Sequence, residues 1–217
     1  MTTVYLIRHS MKMHGPVVGM SPLFDQIQPL SVEGEERAKA LMAISELRGA
    51  DLAVSSPMAR TISTIRYILE ADKIPYQLDE RLRELEFGGM PAIPPAEHQS
   101  KLDDKSGPNP RDNFLARQWE DQDLAQEDGE SIRQCRERMT ESITQIVREN
   151  TGKKILVSSH GAAISSYLSG VIPGVDDSFV RRVNQPDVFK LVFEGDQVKS
   201  WVHLDLPFSL PEHGKHA

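Results

Sequence analysis

The chain has 217 residues, of which 39% are hydrophobic and 26% charged, and its formal net charge is −7. This length is typical of one domain or of one domain with an insertion, and the composition excludes a disordered, collagen-like or coiled-coil protein. The acidic balance argues against nucleic acid or an anionic membrane as a partner, because both favour a basic surface. A small anionic substrate stays compatible with it, because a binding site is local whereas net charge is global.

The cysteine count and the N-terminal sequence limit the cellular locations that we expect for the protein. Cys135 is the one cysteine of the sequence, which excludes an internal disulfide and a multi-cysteine metal site. It lies on an apolar helical stripe, so we expect it to be a packing residue. No apolar run approaches the roughly 20 residues that cross a bilayer, and the N-terminus lacks the features of a signal peptide. We therefore expect a cytoplasmic protein.

Short apolar runs that end at polar residues alternate with helical patterns along the chain. The predicted strands are residues 4–7, 52–54, 75–78 and 155–157, followed by a hairpin of residues 188–193 and 198–204. The predicted helices are residues 31–48, 59–71, 129–150 and 162–168. Ser31 is the candidate N-cap of the first helix, and Gly49 closes it. The alternation predicts an α/β three-layer sandwich, in which helices flank a largely parallel sheet and the hairpin follows at the C-terminus.

Residues 88–128 break this alternation. The segment is polar, contains several prolines and has little periodicity before its second half. We interpret it as a cap segment inserted into a single domain of residues 1–217, lying over the site and selecting the substrate. The alternative is a structural cover that contacts no ligand.

Polar and cationic residues follow three of the predicted strands. Arg8 and His9 come after the first strand, Arg60 opens the helix after the second, and His160 follows the strand at residues 155–157. Ligands of such sheets bind outside the carboxyl ends of the strands, so these side chains are expected to gather there. Each residue alone is more often structural, but together they suit a phosphoryl group, whose oxygens arginine binds in a bidentate manner. An imidazole can act as the nucleophile, and a nearby carboxylic acid would protonate the leaving oxygen.

The ordered motifs resemble the histidine phosphatase superfamily, also called the phosphoglycerate mutase-like family. The resemblance runs from residue 4 to about 205 and rests on Leu6-Ile7-Arg8-His9, Leu30-Ser31-Val32-Glu33-Gly34, Ser55-Ser56-Pro57-Met58-Ala59-Arg60-Thr61, Arg81-Leu82-Arg83-Glu84-Leu85-Glu86-Phe87-Gly88, Gly129-Glu130-Ser131 and Val157-Ser158-Ser159-His160-Gly161.

The resemblance implies a role for each matching residue. It makes His9 the phosphorylated nucleophile and makes Arg8, Arg60 and His160 the phosphate pocket. Glu84 matches the proton donor, with Glu86, two residues on, as the competing candidate. The backbone N–H of Gly161, at a predicted helix start, would add a donor to a phosphate oxygen. No cofactor or metal is implied, and His203, His213 and His216 show no metal-ligand spacing.

The loop after the nucleophile departs from the family pattern. Ser10 stands where the family usually has glycine, Met11 where it has Glu or Gln, and Gly15 where an asparagine often touches the phosphate. Lys12 or His14 would replace a lost contact, although each is also an ordinary loop residue. We expect catalysis to persist with an altered pocket.

Three functions remain open at this point. The leading prediction is a metal-independent phosphatase that acts on a small phosphorylated substrate, with a phosphoprotein not excluded. The second is a phosphoglycerate mutase, ranked lower because mutases usually keep the residues that this loop lacks. The third is a phospho-ligand-binding protein with weak catalysis. The sequence does not determine the physiological substrate or the oligomeric state.

Overall fold

A computed structural model describes residues 1–13, 26–88, 110–175 and 184–206, with side chains from Phe114 onward in the third range. The strands are β1 Thr2–Arg8, β2 Leu52–Ser55, β3 Tyr76–Leu78, β4 Lys154–Ser159, β5 Asp187–Glu194 and β6 Gln197–His203. The α-helices are α1 Val32–Ala40, α2 Ala59–Asp72, α3 Pro110–Glu120, α4 Ile132–Glu149 and α5 Gly161–Val171. Short 3₁₀ helices occupy Leu41–Ala43, Ser45–Leu47 and Glu80–Leu82.

The described strands form one mixed sheet in the order β3-β2-β4-β1-β5-β6. The first four strands are parallel, β5 runs antiparallel to β1, and β6 runs antiparallel to β5. Side chains of β1 alternate between two cores: Val4 and Leu6 pack with α4 and α5, whereas Tyr5 and Ile7 pack with α2 and the segment after α1. The predicted α/β sandwich with a C-terminal hairpin is therefore confirmed.

The register of the central strands sets the position of the candidate site. Arg8 of β1 pairs with Ser159 of β4, and Ser55 of β2 pairs with Ser158. The backbone continues this pairing beyond the strands, because the His9 N–H donates to the Ser159 carbonyl at 3.0 Å. The carboxyl ends of β1, β2 and β4 therefore lie side by side.

The predicted helix at residues 31–48 begins as expected but ends early. Ser31 is its N-cap, and its hydroxyl accepts a hydrogen bond from the Gly34 N–H at 3.0 Å. The α-helix stops at Ala40, and two 3₁₀ turns follow. Leu41 and Leu47 are both fully buried, but residues six apart do not share a face of one α-helix. The chain reorients between them, and one continuous helix is wrong there.

Helix α4 carries the longest apolar stripe of the described chain. It begins at Ile132 rather than at residue 129, because Ser131 and Gln134 form a reciprocal capping box. Its buried stripe includes Cys135, Met139 and Ile143. Burial raises the pKa of the Cys135 thiol to about 12, so this cysteine is a packing residue, as predicted.

Several sequence predictions fall outside the described residues. They include most of the first half of the predicted cap, His14, Gly15, His213 and His216. The described second half of the cap contains α3, where Phe114 is buried and Trp119 packs against the core that α4 and α5 share. The cap stays a prediction. No helix among the described residues is long and apolar enough to cross a membrane.

Candidate active site

His9 follows β1 directly and is only 4% exposed. Its Nδ1 lies 2.7 Å from the Ser10 carbonyl oxygen. A carbonyl oxygen only accepts, so Nδ1 carries the hydrogen and the lone pair of the neutral ring is on Nε2. Burial, and then the charges of Arg8 and Arg60, hold the pKa of His9 well below its usual range. The imidazole is therefore neutral at physiological pH, with its free lone pair on Nε2.

His160 lies next to His9, with ring centroids 5.1 Å apart and ring planes at 64°. It is fully buried at the N-cap of α5, and its Nε2 is 2.9 Å from Ser56 Oγ. That oxygen also accepts a long hydrogen bond from the Met58 N–H at 3.4 Å, so the serine proton is available to Nε2. A hydroxyl can donate and accept, so this contact fits either neutral tautomer of His160. Its Nδ1 is buried and has no hydrogen-bond partner among the described residues. Burial, and then the His9 and Arg60 side chains, lower the pKa of His160 well below its usual range.

The two arginines approach the histidines from different elements. Arg60 lies in the first turn of α2 and is 3% exposed. Arg8 ends β1, and its Nη1 donates to the Asn184 carbonyl at 3.3 Å. A Cβ on Gly161 would lie 2.9 Å from both Cζ and Nε of Arg8. The absence of a side chain at Gly161 therefore lets the Arg8 guanidinium pack against the first turn of α5.

Glu84 reaches the same turn of α5 from a separate segment. It lies between the buried residues Leu82 and Leu85. Its Oε1 accepts hydrogen bonds from the backbone N–H groups of Leu85 and Ala163, each at 3.0 Å. Ala163 is the third residue of α5, so the carboxylate satisfies a free donor at a helix N-terminus. Because Oε1 is occupied as an acceptor, a proton on Glu84 resides on Oε2, which has no hydrogen bond with the described residues.

Glu86, the competing proton donor, is placed differently. Its side chain is exposed, and its backbone groups bind Glu130: the Glu130 N–H donates to the Glu86 carbonyl at 2.7 Å, and the Glu86 N–H donates to the Glu130 carboxylate at 3.4 Å. The geometry therefore favours Glu84. Among the described residues, no group of three or more His, Cys, Asp and Glu side chains gathers as it would around a metal ion.

The atypical loop after His9 is fixed to α1 and α2. The Ser10 hydroxyl donates to the Gly34 carbonyl, and the Ser10 N–H donates to Thr64 Oγ1, both at 2.8 Å. A Cβ on Gly34 would lie 2.0 Å from the Met11 carbonyl oxygen, so glycine is required where this loop crosses α1. The extra hydroxyl of Ser10 is thus buried and satisfied. Lys12 is close enough for its charge to lower the pKa of His9.

Sequence reasoning missed the residues that support this cluster. Ser56 belongs to the motif at residues 55–61, but the resemblance assigns it no role, and nothing in the neighbouring sequence indicates that it reaches His160. Arg138 was not singled out at all. Its one sequence signal is a charge placed next to Met139, on the edge of an otherwise apolar stripe.

The fold and this cluster define an α/β protein with two arginines and two histidines gathered at the carboxyl ends of its central strands. The chain belongs to the histidine phosphatase superfamily, branch 1, whose sequence profile matches residues 4–202. The resemblance stated from the motifs is thereby confirmed.

Relatives and solved structures agree with this family. A probable phosphoglycerate mutase GpmB of Enterobacter sp. (strain 638) is 27% identical over 172 residues, which is 79% of this chain and 75% of the relative. The fold is similar to that of Bacillus stearothermophilus YhfR, with a TM-score of 0.70 at 20% identity, covering 97% of this chain and 98% of the other. It is also similar to a mycobacterial glucosyl-3-phosphoglycerate phosphatase, with a TM-score of 0.65 at 20% identity, covering 94% and 97%. An Entamoeba histolytica phosphoserine phosphatase gives 0.63 at 20% identity, covering 93% and 96%.

Proposed function

We propose that the protein is a metal-independent phosphomonoester hydrolase that works through a phosphohistidine intermediate on His9. The observation that carries this proposal is the hydrogen bond from His9 Nδ1 to the Ser10 carbonyl. It leaves the Nε2 lone pair as the nucleophile, in a ring that burial and neighbouring cations keep neutral. A neutral imidazole so oriented can attack phosphorus at physiological pH.

The reaction has two steps that balance in atoms and charge. His9 Nε2 attacks phosphorus and forms a P–N bond while the P–O bond to the leaving group breaks, and Glu84 Oε2 gives its proton to the leaving oxygen. The Glu84 carboxylate then takes a proton from water, whose oxygen attacks phosphorus. The P–N bond breaks, its electron pair returns to Nε2, and inorganic phosphate leaves.

The cationic side chains bind the phosphoryl oxygens in both steps. Arg8 and Arg60 supply permanently protonated donors, and His160, in the tautomer that carries its hydrogen on Nδ1, supplies a neutral one. The backbone N–H of Gly161, at the positive end of α5, adds a further donor. The contributions of Gly161 and Arg8 are coupled, because the guanidinium packs directly over this glycine.

Two groups of relatives support a small phosphorylated substrate but differ in reaction. The solved neighbours include a glucosyl-3-phosphoglycerate phosphatase and a phosphoserine phosphatase, which favours hydrolysis. The curated relatives are named probable phosphoglycerate mutases, which makes a mutase the second candidate. A coupled assay of 2- and 3-phosphoglycerate interconversion separates the two: appreciable isomerisation would replace hydrolysis as the proposal.

The main test combines a substrate panel with trapping of the intermediate. We expect wild type to hydrolyse aryl phosphates and small phosphorylated metabolites, with chelators harmless, and His9→Ala to fall to background. An alkaline quench of wild type with labelled substrate should retain protein-bound phosphate, since phosphohistidine is lost in acid. Full activity of His9→Ala would overturn the mechanism. Phosphate binding without any trapped intermediate would instead support the third function, a weakly catalytic binding protein.

A further inference from the structure

Glu130 and Arg138 form a bidentate ion pair beside the segment that carries Glu84. Arg138 Nε donates to Glu130 Oε1 at 2.6 Å, and Arg138 Nη2 donates to Glu130 Oε2 at 2.7 Å. The two side chains are only 21% and 15% exposed. An ion pair at this depth adds little net stability, because desolvation offsets the attraction, so the geometry that it imposes on its neighbours is the property to consider.

Three further hydrogen bonds of this guanidinium reach backbone carbonyls, and Nη2 also donates to Cys135 Sγ at 3.2 Å. Arg138 Nη1 donates to the carbonyls of Arg81 and Arg83 at 2.7 and 2.8 Å, and Nη2 donates to the carbonyl of Glu84 at 3.0 Å. One planar group therefore fixes three carbonyls in the segment that ends at Glu84. Lysine could not reproduce this, because its ammonium is a single point of donation without a fork.

Glu130, the partner of Arg138, holds the same segment on the other side of Glu84. The N–H and carboxylate of Glu130 bind the carbonyl and N–H of Glu86, respectively. Residues 81–86 are thus held on both sides of Glu84 by one ion pair. Burial alone would lower the pKa of Arg138, but the hydrogen bond to Glu130 raises it overall, so the guanidinium stays protonated.

We infer that Arg138, held by Glu130, is the positioning residue of the proton donor in this active site. Its hydrogen bonds fix the Glu84 backbone so that Oε1 reaches the Ala163 N–H and Oε2 is presented to the leaving oxygen. This inference rests on the proposed role of Glu84 as general acid. Arg138 itself touches no reacting atom.

The test uses the dependence of catalysis on the leaving group. An alkyl phosphate needs its leaving oxygen protonated, whereas an activated dinitrophenyl phosphate leaves as a stable anion and does not. Glu84→Gln should therefore lose roughly 10²- to 10⁴-fold in kcat/KM on the alkyl substrate and much less on the activated one. We compare kcat/KM because it reports formation of phosphohistidine, whereas the later hydrolysis, in which Glu84 is the base, is common to both substrates. Arg138→Lys and Arg138→Met should show the same pattern at a smaller scale, with about 10²-fold lost on the alkyl phosphate.

A double mutant and a matched control make the result decisive. If Arg138 acts through Glu84, the Glu84→Gln/Arg138→Met enzyme should be no slower on the alkyl phosphate than Glu84→Gln alone. The control is Arg133→Gln, a substitution on the same helix as Arg138. It breaks an exposed ion pair with Asp123 and should leave the rates on both substrates unchanged. If Arg138→Met does not fold, Glu130→Gln removes the partner while keeping the guanidinium, and it should show the same leaving-group pattern.

The possible failures are distinguishable. Equal losses on both substrates in Arg138→Lys and Glu130→Gln, with a selective loss in Glu84→Gln, would overturn the positioning role and leave the proposed function intact. Equal losses in Glu84→Gln would remove Glu84 as general acid, and the role of Arg138 would fall with it.

Discussion

Histidines lie in two regions of this molecule that have opposite electrostatic surroundings. At the carboxyl ends of β1 and β4, His9 and His160 are buried beside Arg8 and Arg60, and the pKa of each ring is well below its usual range. In the terminal hairpin, the hydrogen bond from His203 Nε2 to Asp187 Oδ1, 2.6 Å long, raises the pKa of His203.

The difference shows how the surroundings of a histidine determine its pKa and so the role that the ring can take. Asp187 is 1% exposed and also accepts the N–H groups of Asn184 and Val188. The hydrogen bond to this buried side chain favours the protonated form of His203, whose ring stacks on Phe189. At the strand ends, the surrounding cations disfavour a further positive charge. The neutral rings there suit a nucleophile and a neutral hydrogen-bond donor, whereas the more basic ring of His203 suits a structural ion pair.

The largest expected contrast is in turnover. His160→Gln should lower kcat/KM for an aryl phosphate by about 10²-fold, because a preorganised donor to the phosphoryl group is lost from a buried site. His203→Gln should stay within about threefold of wild type, since it changes a side chain that is 41% exposed. Steady-state kinetics of the two purified variants checks this. Comparable losses in both would mean that the hairpin pair supports the site and is not separate from it.

A smaller difference in kcat/KM is expected between two glycine substitutions in α5. Gly161→Ala places a Cβ 2.9 Å from the Arg8 guanidinium, whereas Gly170→Ala places one 2.7 Å from Cδ of Arg136, away from the histidines. The two glycines lie on the same helix, and in each variant the new Cβ crowds the flexible side chain of an arginine from another element, so both proteins should fold. Moving Arg8 weakens a charged hydrogen bond worth about 1.5–3 kcal/mol, so Gly161→Ala should lose at least about tenfold in kcat/KM.

Gly170→Ala serves as the matched control for that measurement, and its kcat/KM should equal that of wild type. Calorimetric titration with inorganic phosphate should rank the two variants in the same way, with weaker phosphate binding by Gly161→Ala than by Gly170→Ala. If both lose phosphate affinity equally, the effect comes from helix packing and the specific placement of Arg8 over Gly161 is refuted.

The central strands could be predicted from sequence because they are short apolar runs that are buried on both faces. The ends of these strands could not, since polar residues such as Thr2 and Arg8 take part in the ladder without an apolar signal. The prediction of one helix at residues 31–48 was wrong for a related reason. A spacing of apolar residues does not reveal that the chain turns between Leu41 and Leu47 to bury both of them.

The site was predictable where strand topology determines it. Arg8, His9, Arg60 and His160 meet because each follows a strand whose carboxyl end lies at the same edge of the sheet. The supporting contacts were not predictable. Arg138 reaches carbonyls that are 54 to 57 positions away along the chain, and this requires the packing of α4 against the Glu84 segment.

The smallest expected effect is a difference in the pH dependence of stability, and it has opposite signs in the two regions. For His160, the folded pKa is below the unfolded value of about 6.5, so the unfolded state binds more protons in acid and stability falls as pH drops below that value. For His203, the folded pKa is raised, so its contribution is fully present below about pH 6.5 and is lost as pH rises through the folded pKa.

Urea unfolding at pH 8, 7, 6 and 5 tests these signs by difference from wild type. His160→Gln should flatten the acidic loss of the free energy of unfolding, by up to about 1.4 kcal/mol per pH unit while the unfolded histidine titrates. His203→Gln should steepen it, because the variant lacks the ion pair that wild type gains in acid. Curves parallel to that of wild type for both variants would show that neither histidine titrates differently on folding, and the electrostatic contrast between the two regions would then be wrong.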